Sequence, residues 1–440
     1  MPAFPSGVRR LSAALAVAQA AALLPAVAIA ADDKPKIDSG DTAWMIVATA
    51  LVLLMSIPGL ALFYAGMVRK KNVLATTAQT LATVALVSVL WVVVGYSLAF
   101  TSGTSVIGDL SRFLMAGLKM DGVHEAAKTV PENVFMMFQL TFAAITPAIV
   151  IGAAADRIKF SAMLWFMGLW LLAVYCPVAH WVWGGGFLQK AGVLDFAGGI
   201  VVHINAGVAG LVLALVLGPR RGYPADNMAP HNLVLTVAGV SMLWVGWFGF
   251  NAGSAVAADA RAGMAMTVTH VAAATAALAW MFAEWATMGR PSVLGIASGA
   301  VAGLGTITPA SGYVGVGAAL VIGLVAGLAC FYASTTFKRR MGYDDSLDVF
   351  GVHGVGGFIG TVMAGVFATS VIAGPEVKGL IEGNGQQVLT QLYGIACAVA
   401  LSAIGTWVIL KIIDVTIGLR VTPEQEIEGL DINLHGETVH

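Results

Sequence analysis

The sequence predicts an all-α polytopic membrane protein with eleven transmembrane helices, and composition and the length of the apolar runs both support this fold class. Of the 440 residues, 58% are hydrophobic and 11% are charged, and the mean hydropathy is +0.85. A soluble domain carries about 25% charged residues, so this chain has too few to coat a globule. Runs of about 20 mostly apolar residues, the length that crosses a bilayer as a helix, recur along the chain. The alternating pattern of barrel strands is absent.

Charge and cysteine usage exclude several other classes of protein. The 23 basic and 24 acidic residues give a net charge of −1, and without a basic block the chain has no electrostatic footprint for nucleic acid. The three cysteines, Cys176, Cys330 and Cys397, lie in apolar runs and lack the spacing of a metal site. We therefore expect no disulfide framework, no metal centre and no cofactor.

The N-terminus has the pattern of a targeting segment. Arg9 and Arg10 precede an apolar stretch over residues 11–28, and an A-x-A cleavage site follows. We predict a cleaved signal peptide over residues 1–30 and a periplasmic segment over 31–41. The alternative is that the apolar stretch forms an additional membrane helix.

The apolar runs define a membrane domain over residues 42–415, followed by a tail over 416–440. Short links join most of the runs, and the longest connection covers residues 102–131. The eleven candidate spans cover 43–66, 75–101, 132–155, 160–182, 196–218, 232–253, 264–287, 292–309, 314–336, 349–371 and 388–415.

The basic residues of the connecting loops predict the orientation in the membrane, because cytoplasmic loops carry an excess of Lys and Arg. Alternate loops fall on the same side, and one set holds most of the basic residues. An odd number of spans then places the N-terminus outside, in agreement with the signal peptide, and the tail in the cytoplasm. The basic set comprises Arg69, Lys70, Lys71, Arg157, Lys159, Arg220, Arg221, Arg290, Lys338, Arg339 and Arg340.

A short motif occurs twice and indicates an internal repeat. Residues 202–207 and 352–357 each contain Val-His, two variable residues, a small residue and Gly. Two halves of five helices each must be inverted relative to each other, which leaves the last helix outside the repeat. Inverted repeats bring corresponding residues together near the midplane. The motif therefore predicts that His203 and His353 meet in the middle of the protein.

Ionisable residues inside membrane spans are candidates for function. A neutral imidazole donates at one nitrogen and accepts at the other, so His203 and His353 could share one hydrogen bond and present their remaining nitrogens to a narrow pore. The alternative is that each is a core histidine bonded to a backbone carbonyl. We assign His180 and His270, which lack such a partner, to this second class.

Four segments resemble the ammonium transporter (Amt/Mep/Rh) family, and most closely its bacterial Amt branch. The segments are CPVAHWVWGGG at 176–186, LDFAGGIVVHIN at 194–205, WVGWFGFNAGS at 244–254 and DVFGVHG at 348–354. The resemblance extends from about residue 42 into the tail, in order and at family-like spacing. It implies a homotrimer with one pore per subunit, which carries ammonium and methylammonium across a bacterial inner membrane.

Carried over residue by residue, the resemblance implies an outer recruitment site above a gate. Phe138, Trp183 and Ser254 would recruit ammonium, because aromatic faces attract cations and a hydroxyl can accept a hydrogen bond. Phe142 and Phe250 would close the entrance, and Phe142 lies one helical turn from Phe138 on the same face. As bare sequence, these aromatic residues are more typical of packing or of an interfacial belt than of a recruitment site or a gate.

Asp195 precedes His203 by eight residues, which is about 12 Å along a helix and too far for direct contact. The sequence alone favours an N-cap for the following helix. The resemblance implies that this carboxylate is required for function and that it organises the recruitment region. We expect Asp348 to cap the corresponding helix of the second half.

The resemblance implies a complete function. Ammonium would be recruited at a periplasmic aromatic site, deprotonated, and conducted as ammonia through the twin-histidine pore into the cytoplasm, with net charge transfer. The histidines lack an accompanying nucleophile or third ligand, so we do not expect an enzyme. The alternatives are a neutral gas channel of the Rh type and an ammonium sensor without transport. The tail is expected to pack on the cytoplasmic face, cross to a neighbouring subunit and help dock a PII-type regulatory protein.

Overall fold

The computed structural model describes residues 36–439, and the expected signal peptide over 1–30 lies outside this range. Within it, eleven helices are long and apolar enough to cross a membrane, which confirms the fold class. In chain order they are α1 Ser39–Met67, α2 Lys70–Phe100, α3 Glu132–Ala154, α4 Phe160–Lys190, α5 Gly199–Leu217, α6 Leu233–Gly253, α7 Ala260–Met288, α8 Val293–Ala310, α9 Val316–Met341, α10 Phe350–Phe367 and α11 Gln386–Thr416.

Several helices extend beyond the predicted apolar runs. The helices α2 and α11 are each 31 residues long, whereas a bilayer requires only about 20. Most of the added residues are polar, namely Lys70, Lys71 and Asn72 at the start of α2, and Gln386 and Gln387 at the start of α11. The helix α4 contains a break at residues 184–186, directly after Trp183.

The helices α5 and α10 both begin with π-helical turns, and each of these turns carries one of the two motif histidines. The turns cover Gly199–Ile204 and Phe350–Gly354. Such wide turns occur frequently at functional sites. The two helices cross where a Cβ atom on Gly207 would overlap the backbone of Gly354. The glycines of the repeated motif therefore allow the two halves to approach at the level of the histidines.

Short elements lie in the connections. The connection between α2 and α3 contains a 3₁₀ turn at Phe113–Met115 and an antiparallel hairpin of β1, Val123–His124, and β2, Ala127–Pro131. The connection between α10 and α11 contains the short helices Ser370–Ala373 and Leu380–Glu382. The tail contains a short α-helix, Pro423–Glu428, and a π-helical turn, Asp431–His435.

The tail packs against one end of the helix bundle. The carboxylate of Asp431 accepts hydrogen bonds from the backbone N–H groups of Leu74 and Ala75, at 3.0 and 2.8 Å, in the first turns of α2. Glu426 accepts another from the backbone of Arg221, at 2.7 Å. We call this end of the bundle the tail side and the opposite end the far side.

Candidate functional site

Two histidines of the repeated motif meet between α5 and α10. The Nδ1 atoms of His203 and His353 lie 3.1 Å apart, so one ring donates a hydrogen bond to the other. The rings are nearly parallel, with 9° between their planes and 5.2 Å between their centroids. The Nε2 atom of His203 is buried and has no hydrogen-bond partner among the described residues. This nitrogen can bond a small polar molecule, because a neutral imidazole offers a donor or an acceptor there.

An indole ring holds His203 in its orientation. Trp247 of α6 stacks on the imidazole, with 5.5 Å between centroids and 14° between planes. Its Nε1 atom donates to the hydroxyl of Thr308 at 2.8 Å, so displacement of the indole would break a buried hydrogen bond. Nothing in the sequence distinguishes Trp247 from a packing residue, although it lies in a segment that resembles the family.

A column of aromatic rings leads from the far side to the histidines. The rings of Phe142 and Phe250 lie 4.3 Å apart, and both side chains are almost fully buried. Toward the far side, Phe138 and Trp183 meet Phe142 edge to face at 4.9 and 5.8 Å. Toward the centre, Phe250 lies 6.1 Å from His203. The expected gate residues therefore lie between the expected recruitment aromatics and the histidines.

A cavity of about 170 Å³ lies at the far-side end of this column. Phe138, Phe142, Trp183 and Ser254 all contribute to its wall. A water molecule occupies about 30 Å³ in the liquid, so the cavity has room for a small hydrated ion. Aromatic faces make its wall attractive to a cation.

Two polar side chains offer oxygen acceptors to this cavity. The hydroxyl of Ser254 donates to the carbonyl of Phe250 at 2.9 Å, which leaves its oxygen lone pairs available. Gln139 also lines the cavity, and its buried Oε1 atom has no partner among the described residues. No sequence signal indicated Gln139, because it directly follows Phe138 and adjacent helical residues do not normally face the same way.

Asp195 does not line the cavity but caps α5. Its carboxylate accepts hydrogen bonds from four successive backbone N–H groups, at distances of 2.8, 2.6, 2.8 and 3.1 Å. Its own carbonyl accepts a hydrogen bond from Nε1 of Trp183 at 2.9 Å. Asp195 therefore links a wall of the far-side cavity to the helix that carries His203. The four donors are the N–H groups of Gly198, Gly199, Ile200 and Val201.

The carboxylate that caps α10 belongs to Asp345, and the expectation for Asp348 was wrong. Asp345 accepts a hydrogen bond from the backbone of Phe350 at 2.7 Å. Asp348 instead forms an ion pair with Lys338. Burial and, second, the charge of Asp348 raise the pKa of Asp345 to about 6. The spacing was the missed signal, because Asp345 precedes His353 by the same eight residues that separate Asp195 from His203.

A small second cavity lies on the tail side of the histidines. It has a volume of about 20 Å³, and its wall includes His353, Tyr64, Ser298 and Asp348. This volume is about that of one water-sized site. Cavities therefore lie at both ends of the segment formed by the aromatic column and the histidine pair.

The two remaining span histidines have different environments. Both ring nitrogens of His180 lie near backbone carbonyls, at 3.0 Å from Ala99 and 2.8 Å from Thr104, so His180 is a buried histidine bonded to the main chain as expected. His270 is not a core histidine, and that expectation was wrong. It is exposed on α7, where its ring lies 5.5 Å from that of Trp244.

The eleven apolar helices define a polytopic membrane protein, with a central row of aromatic and histidine rings between two cavities. Residues 43–440 match the sequence profile of the Ammonium Transporter Family. The ammonium transporter of Aquifex aeolicus is 48% identical over 406 residues, which cover 92% of this chain and 94% of the relative. The chain therefore belongs to the ammonium transporter family, and the curated relatives it resembles are named as transporters rather than enzymes.

Solved structures share this fold. The crystal structure of Mep2 from Saccharomyces cerevisiae has a TM-score of 0.83 and 36% identity, and the match covers 89% of this chain and 90% of that one. A structure described as a sensor Amt protein has a TM-score of 0.82 and 29% identity, and the match covers 90% of this chain and 98% of that one.

Proposed function

We propose that this protein recruits ammonium at the far-side cavity, removes its proton and conducts ammonia past the histidine pair. The observation that carries the proposal is the aromatic column between the cavity and His203. Moving an ion out of water into such an apolar passage is strongly unfavourable. Ammonium can avoid this penalty by leaving its proton behind, whereas potassium, a cation of similar size and charge, has no proton to lose.

Recruitment uses the chemistry of the cavity wall. The faces of Phe138 and Trp183 attract a cation through their quadrupoles, and the oxygens of Ser254 and Gln139 accept hydrogen bonds from its N–H groups. Asp195 adds a fixed negative charge behind the wall and holds the backbone of α5. Methylammonium offers the same charge and fewer N–H donors, and it is the second expected substrate.

Passage depends on the gate and the pore. Phe142 and Phe250 separate the wet cavity from the lumen, and their side chains must move for ammonia to pass. His203 and His353 then provide a polar surface in an otherwise apolar lumen, and the shared hydrogen bond offers a route for a proton between them. Net charge transfer follows if the proton crosses with the ammonia.

The orientation follows from the loops. The basic loops and the tail over 416–440 lie on the cytoplasmic side of a bacterial inner membrane, and the far-side cavity opens to the periplasm. The signal peptide over 1–30 is removed, and the segment over 31–41 stays in the periplasm. A reporter fused after His440 is expected to lie in the cytoplasm, and the mature protein is expected to begin near Ala31.

The assembly is a homotrimer. Ionisable residues in membrane spans almost always face protein or a water-filled cavity, and His270 lies on an exposed face of α7. This supports contact between that face and a neighbouring subunit, while the other apolar faces contact lipid. The docked tail, held by Asp431 and Glu426, offers a surface at the pore exit to a PII-type regulatory protein.

Two alternative functions remain distinguishable by experiment. The first alternative is an ammonium sensor without transport, and a structural relative described as a sensor favours it. The second is a neutral gas channel of the Rh type. The decisive test records current and methylammonium uptake in proteoliposomes after a jump in ammonium concentration, with empty liposomes as the control. An inward current with uptake supports the proposal. Uptake without current indicates a gas channel, and neither signal indicates a sensor.

A further inference from the structure

The helix α11 lies outside both repeats, yet one of its side chains is bonded to the segment that carries Asp195. Gln391 is fully buried. Its Oε1 atom accepts a hydrogen bond from the backbone N–H of Leu194 at 2.7 Å, and its Nε2 atom donates to the carbonyl of Leu194 at 2.6 Å. The side-chain amide therefore pairs with both polar groups of one residue, as a neighbouring strand would.

The segment held in this way connects the far-side cavity to the pore helix. Leu194 directly precedes Asp195, whose carbonyl accepts the hydrogen bond from Trp183 and whose carboxylate caps α5. The backbone of Leu194 and Asp195 therefore joins the contact with Gln391 to the contacts with the Trp183 indole and with the start of α5. Gln391 holds this segment through both polar backbone groups of Leu194.

The pairing is energetically significant because every group in it is buried. Nε2 of Gln391 also donates to the carbonyl of Thr361 at 3.1 Å, which ties the same amide to α10. Removing the side-chain amide would deprive three buried backbone groups of this hydrogen-bond partner. They are the N–H of Leu194 and the carbonyls of Leu194 and Thr361. A buried polar group that loses its hydrogen-bond partner is unfavourable, because it no longer has water to replace that partner. The local backbone would therefore move to find other partners.

We propose that Gln391 is a positioning residue for substrate recruitment. Through its hydrogen bonds to the backbone of Leu194, Gln391 determines where Asp195 and Trp183 lie. The inference rests on the recruitment role proposed for that site. It assigns a function to α11, the helix outside the repeats. The far-side end of α11 holds the segment of Leu194 and Asp195 in place. The role differs from general packing because it depends on hydrogen-bond donors and not on side-chain volume.

The substitution Gln391→Glu tests this dependence on donors. An ionised Glu can accept from the N–H of Leu194 but has no proton for the carbonyls of Leu194 and Thr361, whereas a protonated Glu has one. We expect the apparent KM of the variant for methylammonium to exceed that of the wild type by about tenfold at alkaline pH, equal to about 1.4 kcal/mol. At acid pH the ratio of the two KM values should fall toward one.

Two further variants separate positioning from packing. Gln391→Met keeps the volume but has no donors at any pH, so its KM should be raised throughout. Gln386→Glu makes the same change on the exposed first residue of α11, and its KM should follow that of the wild type at every pH. Because Gln391→Glu is compared with itself across pH in one preparation, the test stands even if Gln391→Met fails to accumulate.

The outcomes distinguish this inference from the proposed function. A pH-dependent KM ratio for Gln391→Glu, absent for Gln386→Glu, supports the positioning role. If Asp195→Asn impairs uptake while Gln391→Glu matches the wild type at every pH, the positioning role is wrong and the recruitment site stands. If Asp195→Asn leaves KM and uptake unchanged, the recruitment site itself is wrong.

Discussion

Asp345 occupies in α10 the place that Asp195 occupies in α5. Each carboxylate accepts hydrogen bonds from the start of a helix whose histidine lies eight residues further along the chain. The two carboxylates do not accept the same number of hydrogen bonds. Asp195 accepts four backbone hydrogen bonds, whereas one oxygen of Asp345 has no partner among the described residues. The inverted repeat therefore preserves the position of the carboxylate but not its surroundings.

The four backbone hydrogen bonds of Asp195 predict a severe effect of its replacement. Asn has one acceptor oxygen and turns an NH₂ group toward the N–H donors of α5. We expect Asp195→Asn to abolish methylammonium uptake, and Ser254→Ala to reduce it only partly, because Gln139 and the aromatic faces remain. Membrane protein levels provide the control. Equal and mild losses in the two variants would remove Asp195 from the functional residues.

The raised pKa of Asp345 predicts that the stability of the folded protein depends on pH. Its pKa is raised from 3.8 to about 6 by burial and then by Asp348, so the folded state binds this proton more tightly than the unfolded state. The group therefore destabilises the folded protein progressively as the pH rises from about 4 to about 6. We expect the Tm of Asp345→Asn, relative to that of the wild type, to increase over this range.

The measurement is thermal unfolding of the purified protein in detergent at a series of pH values. The difference between variant and wild type is informative because it cancels the other titrating groups, such as Asp344, whose pKa is lowered by Arg220 against the effect of burial. A difference that does not change with pH contradicts the raised pKa of Asp345.

The contacts of Asp431 predict how firmly the tail is docked. Its carboxylate accepts hydrogen bonds from two N–H groups in the first turns of α2, and the loss of such a cap costs about 1 kcal/mol. We expect Asp431→Ala to make the tail more susceptible to limited proteolysis. Glu437→Ala, a change on an exposed tail residue, is the matched control. Identical cleavage rates in wild type and Asp431→Ala would mean that this cap does not hold the tail.

The number of spans and the meeting of the histidines were predictable from the sequence. Long apolar runs have few alternatives to membrane helices. The repeated Val-His motif predicted contact between His203 and His353, although 150 residues separate them along the chain. In both cases the signal was a pattern of side-chain types.

Other contacts of the site correspond to no recognisable pattern of side-chain types in the sequence. Gln391 meets Leu194 across 197 residues, and its partner is a backbone that carries no side-chain signature. Gln139 reaches the cavity although it neighbours Phe138 in sequence. Asp348 is closer than Asp345 to α10 in the sequence, but its ion pair with Lys338 leaves the cap to Asp345. Backbone partners and competing charges thus limit what the sequence alone predicts.

The most direct test of the account is potassium flux through a histidine variant. In the proposed mechanism, the neutral histidine pair admits ammonia and excludes cations. A carboxylate at position 353 would place a negative charge in a low-dielectric passage, where Coulomb attraction to a desolvated cation is strong. We expect His353→Glu, reconstituted in liposomes at matched protein content, to admit potassium while the wild type excludes it. A correctly folded variant that carries ammonium as before and still excludes potassium would show that the histidine pair is not the selectivity element.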